Sequence, residues 1–318
     1  MIGLHSFVCF VISFLLAEAL ILQRNDAFNQ LTCSGGSIYF SAHPADSLLY
    51  HNPDLFHDFY VFKCITTVLF TSGDRGNTDS HSLMLEGGLE DAYSFMAGTD
   101  VKDAWNQAHI QFNGKPVLVR FLKDMPQFQI MYLRLPSGSP DGKGYQANFG
   151  DSLRRLYEGD IKSLSATDGS STYTLESLQA LIASILKKKD ARHIRVLDFK
   201  TPLPHEQGDG HDHADHITSA RIVADAWKQE NLAGTLQGYA ANALRRVYPN
   251  LNITARNYRV KLETFFQYAA KDKYMCKDYD HCLEVQDSKE AFVDEEYKYV
   301  ATYLQREHYV SSNNGTPI

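Results

Sequence analysis

The chain lacks the positive charge that nucleic-acid-binding proteins carry. Its 318 residues include 31 lysines and arginines against 38 aspartates and glutamates, for a formal net charge of −7. Such a chain has no general basic field to attract phosphate backbones. The one basic run, Lys187-Lys188-Lys189, suits the last turn of a helix that begins near Leu175. Nucleic acid is therefore not an expected partner.

Cysteine is also scarce, with five residues in all. Cys9 lies in the predicted signal segment, which leaves an even number of cysteines, as expected in an oxidising compartment. Cys33 and Cys64 each precede a strand-like run, so parallel neighbouring strands would place them at the same end and allow a bridge. Cys276 and Cys282 enclose five residues, a loop short enough to close locally. Four free buried thiols are the alternative.

Long apolar runs are missing beyond the amino terminus, where residues 6–16 are almost wholly apolar. Ala17-Glu18-Ala19 has the small-x-small form of a signal-peptidase site, so residues 1–19 are predicted to be a cleaved signal peptide and the protein to be secreted or in the ER lumen. The alternative is an anchor in the ER membrane, because residues 6–22 reach the lower length limit for a span. A membrane is a partner only if this segment stays uncleaved. Asn252-Ile253-Thr254 is a glycosylation sequon.

Internal repeats are absent, and residues 20–318 are predicted to form one α/β domain with a single substantial core. Apolar periodicity indicates strands at 37–42, 65–71, 116–122, 128–135 and 194–199, and helices at 81–97 and 175–188. The helix at 175–188 leads into the strand at 194–199 as in a βαβ unit with parallel pairing. Residues 217–246 are predicted to form one or two helices, and residues 256–308 a helical tail.

Two polar motifs follow two of these strands. Ser41–Asp46 (SAHPAD) ends the first strand, and His213–His216 (HADH) lies beyond the loop that follows the strand at 194–199. Ligands of open α/β sheets collect outside the carboxyl ends of parallel strands, so the two motifs can converge. A catalytic zinc takes three imidazole or carboxylate ligands and keeps a fourth position for water. We therefore predict that His43, Asp46 and His216 bind Zn²⁺ or another divalent first-row metal.

The remaining groups of the second motif suit acid and orienting roles. His213 could protonate a leaving group, and Asp215 could orient an imidazole. Two simpler interpretations stay open: His43 is a packed residue at a strand end, or the His-rich loop 205–216 merely captures divalent metals without the first motif.

The motifs resemble those of the LmbE and PIG-L type de-N-acetylases, zinc-dependent amidohydrolases that remove acetyl groups from N-acetylglucosamine in glycoconjugates. The resemblance spans nearly the whole chain after residue 19. The matching segments are AHPADS with LLYHNPDL (42–55), TSGD (71–74), DAYSFMAG (91–98), SLRRLYEGDIKSL (152–164), HADH (213–216) and YLQREHY (303–309). The resemblance implies a Rossmann-like three-layer sandwich with a mostly parallel sheet.

The resemblance assigns the metal to His43, Asp46 and His216, but two positions depart from the family pattern. The family's general base, the first aspartate of AHPDD, corresponds to Ala45. Its sugar-contacting Arg-Glu pair corresponds to Leu85-Glu86, so Glu86, with Asp74, is expected to contact substrate.

A methyl group cannot take a proton from water, so the chain is predicted to be a weak deacetylase of N-acetylated amino-sugar glycoconjugates. A base could still come from Asp74, Asp209 or Asp212. The alternative is a catalytically silent secreted protein that binds carbohydrate or a protein partner on the same fold. The sequence predicts no particular oligomeric state.

Overall fold

A twisted α/β sheet forms the centre of the computed structural model, which describes residues 33–77, 79–204, 211–288 and 295–312. The strands are β1 (Ser37–Ser41), β2 (Ile65–Thr71), β3 (Trp105–Phe112), β4 (Lys115–Leu122), β5 (Phe128–Leu135), β6 (Leu164–Ser165), β7 (Thr172–Tyr173), β8 (His193–Val196), β9 (Thr235–Tyr239) and β10 (Tyr309–Ser312). Eight of them form one sheet in the order β10-β9-β8-β1-β2-β5-β4-β3, and β6 pairs with β7 separately. Ser34–Ile318 is one compact unit.

The centre of the sheet is parallel, and its edges are antiparallel. Strands β9, β8, β1, β2 and β5 pair in parallel, while β3, β4 and β10 join as antiparallel edge strands. The predicted α/β class with a mostly parallel sheet is confirmed. The chain passes from β1 to β2 on one side and later returns to β8 on the other, so the strand order reverses at β1. This is the position at which open α/β sheets form their ligand crevice.

Helices flank the sheet. They are α1 (Asp46–Leu49), α2 (Asp54–Tyr60), α3 (His81–Ala97), α4 (Leu153–Glu158), α5 (Leu175–Lys189), α6 (Ala214–Gln229), α7 (Arg256–Ala269), α8 (Tyr279–Asp287), α9 (Glu295–Lys298) and α10 (Val300–Leu304). Helix α3 packs against α7, and α5 packs against α6. Helix α5 begins with a capping box between Thr174 and Ser177 and ends with three lysines, as the basic run predicted.

The prediction of helices across 217–246 was wrong in its second half. Helix α6 ends at Gln229, and Thr235–Tyr239 forms strand β9 beside β8. Gly234 adopts a φ of 94°, which glycine allows at little cost, and so turns the chain into the sheet. Strand β8 is shorter than the predicted strand at 194–199, because the Asp198 carboxylate accepts backbone N–H groups of the next turn. Edge strands β3 and β10 were not predicted.

Two disulfides are present. One joins Cys276 and Cys282, and Cys33 and Cys64 are the other disulfide-bonded cysteines. The alternative of four free thiols is therefore wrong, and the disulfides fit an extracellular or secreted protein. The predicted signal peptide at 1–19 and the possible anchor at 6–22 lie outside the described residues. Across the part that is described, no helix has the length and apolar character to cross a membrane.

A buried lysine ties α7 to the end of α10. Lys261 is fully buried, and its ammonium donates to the backbone carbonyls of Tyr303 (3.0 Å) and Arg306 (2.8 Å). Burial disfavours the charged form and lowers the pKa of Lys261 from 10.5 to about 7.

The shifted pKa of Lys261 predicts a pH-dependent stability. Between pH 7 and 10.5 the unfolded chain binds a proton that the folded chain does not, so the free energy of unfolding should rise with pH. The slope is at most about 1.4 kcal/mol per pH unit. Lys261→Met should lack this contribution. Urea unfolding of both proteins with chelator at pH 7, 8 and 9 measures the difference, and parallel profiles would show that the folded lysine keeps its proton.

Candidate metal centre

The two predicted motifs meet at the carboxyl end of β1, at the point where the strand order reverses. His43 follows β1, Asp46 begins α1, and His216 lies in the first turn of α6, beyond β8. All three side chains are buried, and their ligand atoms lie within 4.8 Å of one another. The two histidines of this cluster are 173 positions apart in the chain.

The three ligand atoms have the spacing of a metal's coordination shell. His43 Nδ1 lies 3.2 Å from His216 Nε2, Asp46 Oδ1 lies 3.2 Å from His216 Nε2, and His43 Nδ1 lies 3.7 Å from Asp46 Oδ1. Ligands about 2.0–2.1 Å from a tetrahedral zinc lie about 3.3 Å from one another. His43, Asp46 and His216 could therefore hold a metal ion.

The Asp46 carboxylate supplies a separate test of that fit. Its Oδ2 atom accepts the backbone N–H groups of Ala42 and His43, both at 2.8 Å, which fixes the carboxylate within the turn after β1. Its Oδ1 atom is buried and makes no hydrogen bond of standard geometry among the described residues, and its polar neighbours there are His216 Nε2 at 3.2 Å and His43 Nδ1 at 3.7 Å. A cation held by this oxygen and the two imidazoles would satisfy a buried carboxylate oxygen that lacks a well-formed hydrogen bond.

Each imidazole is held from its far nitrogen by a second carboxylate. His216 Nδ1 lies 2.9 Å from Asp212 Oδ1, and His43 Nε2 lies 3.1 Å from Asp215 Oδ2. Such partners orient metal-binding histidines and fix the tautomer that offers the other nitrogen to the ion. Asp215 therefore contacts an imidazole in the way the sequence analysis anticipated. The orienting role of Asp212 was missed, although its spacing, four residues before His216, is a usable signal.

The carboxylates also control the charge of the two imidazoles. Burial disfavours a charged His43, but Asp46 and Asp215 outweigh it and raise the pKa of His43 to about 9. The same opposition between burial and the carboxylates Asp46 and Asp212 raises the pKa of His216 well above its ordinary value. The same carboxylates would favour a divalent cation at this site, and its binding requires both imidazoles in their neutral form.

His213 stands at the start of α6, with its ring edge-on to His43 at 4.6 Å between centroids. Its Nδ1 accepts the backbone N–H of Asp215 at 3.1 Å and so caps the helix. A neutral imidazole that accepts at Nδ1 carries its proton on Nε2. This cap therefore favours the neutral tautomer of His213 in which Nε2–H can donate a hydrogen bond beside the cluster.

The two described carboxylates that the sequence offered as alternative bases, Asp74 and Asp212, both accept hydrogen bonds. Ala45 is buried at 3% exposure, directly before Asp46. Asp212 Oδ1 lies 2.9 Å from His216 Nδ1, whereas its buried Oδ2 makes no hydrogen bond among the described residues. Asp74 accepts hydrogen bonds from the hydroxyl of Ser72, two backbone amides and the side chain of Asn148, at 2.7 to 3.0 Å. These bonds occupy Asp74 in holding its loop. Asp209 lies outside the described residues.

Glu86 is paired with a cation, Arg134, although the residue beside it in the sequence, Leu85, is not an arginine. Leu85 belongs to the apolar core, and Glu86 forms a bidentate ion pair with Arg134, with both N–O distances at 2.7 Å. Arg134 lies near the end of β5, where the register with β2 shifts by a bulge, and its φ is 52°. Bulges and left-handed residues re-aim side chains near functional sites. Pairing Arg134 with Glu86 required the fold, because 48 residues separate them.

A polar pocket of about 300 Å³ lies near the cluster, although the three candidate ligands are not among the residues that line it. Its lining includes Asp74, Asp79, Arg134, Asn148 and Asp168. Two consecutive amides of the Pro/Gly-rich loop after β5 connect the pocket to the cluster. Ser137 N–H donates to Asp74 at 2.8 Å, and Gly138 N–H donates to Asp215 at 2.7 Å. This loop therefore links Asp74 of the pocket lining to Asp215 of the candidate metal centre.

Gly138→Ala is expected to weaken metal binding by about 10- to 100-fold, the usual cost of disturbing an outer partner of a ligand. A Cβ atom at position 138 would lie 2.7 Å from Asp215 Oδ1, so the carboxylate that contacts His43 or the loop itself must shift. Gly87→Ala is the matched control, because nothing lies within 4 Å of its new methyl group. Calorimetric zinc titration of both variants measures the effect, and equal affinities would show that Asp215 does not support the centre.

No protein-family model matches the chain, and no curated protein matches it either. The residues and geometry of the chain itself are therefore what support a function.

Proposed function

We propose that the chain is a metal-dependent N-deacetylase-like hydrolase of the LmbE/PIG-L type, acting on N-acetylglucosamine-containing glycoconjugates. Its activity is weak because Ala45 occupies the position of the general base. The observation that carries this proposal is the buried triangle of His43, Asp46 and His216 near a polar pocket. The helices that flank the sheet suit the three-layer sandwich of that family, and the disulfides suit a secreted protein with an N-terminal signal.

Zinc is the metal we propose, because two imidazoles and one carboxylate form a usual ligand set for a catalytic zinc. When bound, such an ion polarises a carbonyl and lowers the pKa of water to about 7. The reaction breaks the amide C–N bond, adds the oxygen of water to the acetyl carbon, and gives the proton to the leaving amine. Asp46 and the two imidazoles hold the ion, and Asp212 and Asp215 hold the imidazoles.

His213 is the residue we assign to the leaving group. Its Nδ1 accepts the N–H of Asp215, so the neutral ring can donate only a hydrogen bond from Nε2. To give the Nε2 proton to the amine nitrogen, His213 must first take up a proton from solvent at Nδ1, which replaces the bond from Asp215. At position 45 the methyl group can neither accept the proton of water nor orient it. A positioned general base contributes about 10²- to 10⁴-fold, and the rate should be lower by that factor.

A silent carbohydrate- or partner-binding protein is the second candidate. Two observations favour it: the alanine at position 45 and the hydrogen bonds that occupy Asp74. Asp74 accepts four hydrogen bonds, and Asp212 is bound to His216 through Oδ1.

Acetate release separates the two candidates. Zinc-loaded protein and the same protein after chelation are incubated with N-acetylglucosamine oligomers and with N-acetylglucosaminyl-inositol. We expect slow release that disappears with the metal. Binding of these sugars without release would support the silent protein. A rate near 10 s⁻¹, typical of enzymes, would contradict a missing base, and neither binding nor release would contradict both candidates.

A further inference from the structure

We propose that the pocket near the metal centre selects neutral or cationic amino-sugar oligomers and disfavours phosphate-bearing glycoconjugates. This inference rests on the proposed function and names its substrate class. It follows from the charges of the residues that line the pocket and from one exposed aromatic residue, Phe149, which follows the lining residue Asn148 in the chain.

The single arginine of the pocket wall is already neutralised. Arg134 donates from Nε and Nη2 to both carboxylate oxygens of Glu86, and from Nη1 to Asp168 at 2.9 Å. A guanidinium bound by two carboxylates has little remaining attraction for a phosphate, although its unused N–H groups can still donate to neutral hydroxyl or carbonyl oxygens.

The rest of the wall is acidic. Asp74 and Asp79 add two further carboxylates, and Lys273 lies 3.2 Å from Asp79 in an exposed ion pair. Three carboxylates, Asp74, Asp79 and Asp168, therefore line the described pocket against one arginine. With the ion-pair partners Glu86 and Lys273 included, four carboxylates stand against two cations. A phosphate entering this space would be repelled, and the ammonium of a deacetylated sugar unit would be attracted.

An exposed aromatic residue next to the pocket residue Asn148 suits a ligand longer than one ring. A volume of about 300 Å³ lies at the lower end of the range for ligand pockets. Phe149 follows Asn148, whose side-chain amide donates to Asp74 in the pocket wall at 2.7 Å. The Phe149 ring is 89% exposed and is presented from a left-handed backbone with φ 57°. An exposed ring held in this way can stack on the apolar face of a second sugar.

Calorimetric binding to the zinc-loaded protein tests the charge selection. N-acetylglucosamine is compared with N-acetylglucosamine 1-phosphate, and the β-1,4-linked N-acetylglucosamine tetramer with its half-deacetylated form. The phosphate should weaken binding by about tenfold, and the ammonium groups should strengthen binding. Both differences in affinity should shrink in 0.5 M salt, because salt screens charge interactions. Asp168→Asn should reduce the discrimination against phosphate. Equal or tighter binding of the phosphate sugar overturns the inference.

Two aromatic variants test the length of the ligand. Phe149→Ala should weaken tetramer binding by about two- to tenfold, the usual worth of an aromatic contact, and leave the monosaccharide unchanged. Tyr248→Ala removes an equally exposed ring that does not adjoin the pocket lining and should change neither. Identical behaviour of the two variants, or no measurable sugar binding, overturns the inference. Acetate release is assayed separately, so a failed preference is distinguishable from a failed deacetylase.

Discussion

Ala45→Asp is expected to raise the rate of acetate release by about 10²- to 10⁴-fold, the usual contribution of a positioned general base. Ala45 is buried directly before the ligand Asp46, in the turn that also carries His43. An aspartate at this position would supply the one group that the proposed mechanism lacks. Zinc would also offset part of the cost of burying a new carboxylate, so the variant is assayed in its metal-loaded form.

Ala45→Asn is the control for this gain. Asparagine has nearly the size of aspartate and can hydrogen bond to water, but it cannot take a proton at neutral pH. Metal content and melting temperature are measured for both variants, so that a misfolded protein is recognised. A folded, metal-loaded Ala45→Asp protein that is no faster than Ala45→Asn would show that the missing base is not what limits this chain.

His43→Ala is expected to remove metal binding, with a loss of affinity larger than the roughly 10- to 100-fold typical of outer-shell changes. The variant deletes one of three ligand atoms, and it leaves Asp46 Oδ1 with a single imidazole neighbour at 3.2 Å. Metal content after dialysis against buffered zinc, together with calorimetric affinity, measures the loss.

His211→Ala is the matched control, because His211 is an exposed member of the His-rich loop and not of the cluster. It should bind zinc as the unmodified protein does. The opposite pattern, in which His211→Ala loses metal and His43→Ala keeps it, would mean that the loop captures metals without the first motif. Circular dichroism of both variants shows whether the fold is intact.

Much of the local structure was predictable from the sequence because the local signals were strong. Strands β2 and β5 and helix α3 have the predicted bounds, since each is an apolar run of the right period between clear breaks. Strand β9, which follows α6, was not predictable, because Leu236 and Tyr239 become core residues only when β8 lies beside them. Edge strand β3 was missed because its apolar and polar residues alternate only weakly.

The residues of the candidate site were also only partly predictable from the sequence. The identities of His43, Asp46 and His216 were predictable, since each motif ends a strand and carries ligand-type side chains. The outer partners were only partly predictable. Arg134 could not be assigned to Glu86, because the ion pair depends on a bulge in β5 and on the packing of α3 over the sheet.

By itself the sequence determined the ligand-type side chains of the two motifs, the alanine at position 45, the even number of cysteines after Cys9 and the alternation of strands and helices. These depend on residue type and on periodicity over a few turns or strands. Only the tertiary structure decided that the two motifs meet at β1, that Asp74 and Asp212 are already hydrogen bonded, and that carboxylates surround Arg134. Those facts are distances between residues far apart in the chain, which are set by the order of strands in the sheet rather than by any local pattern.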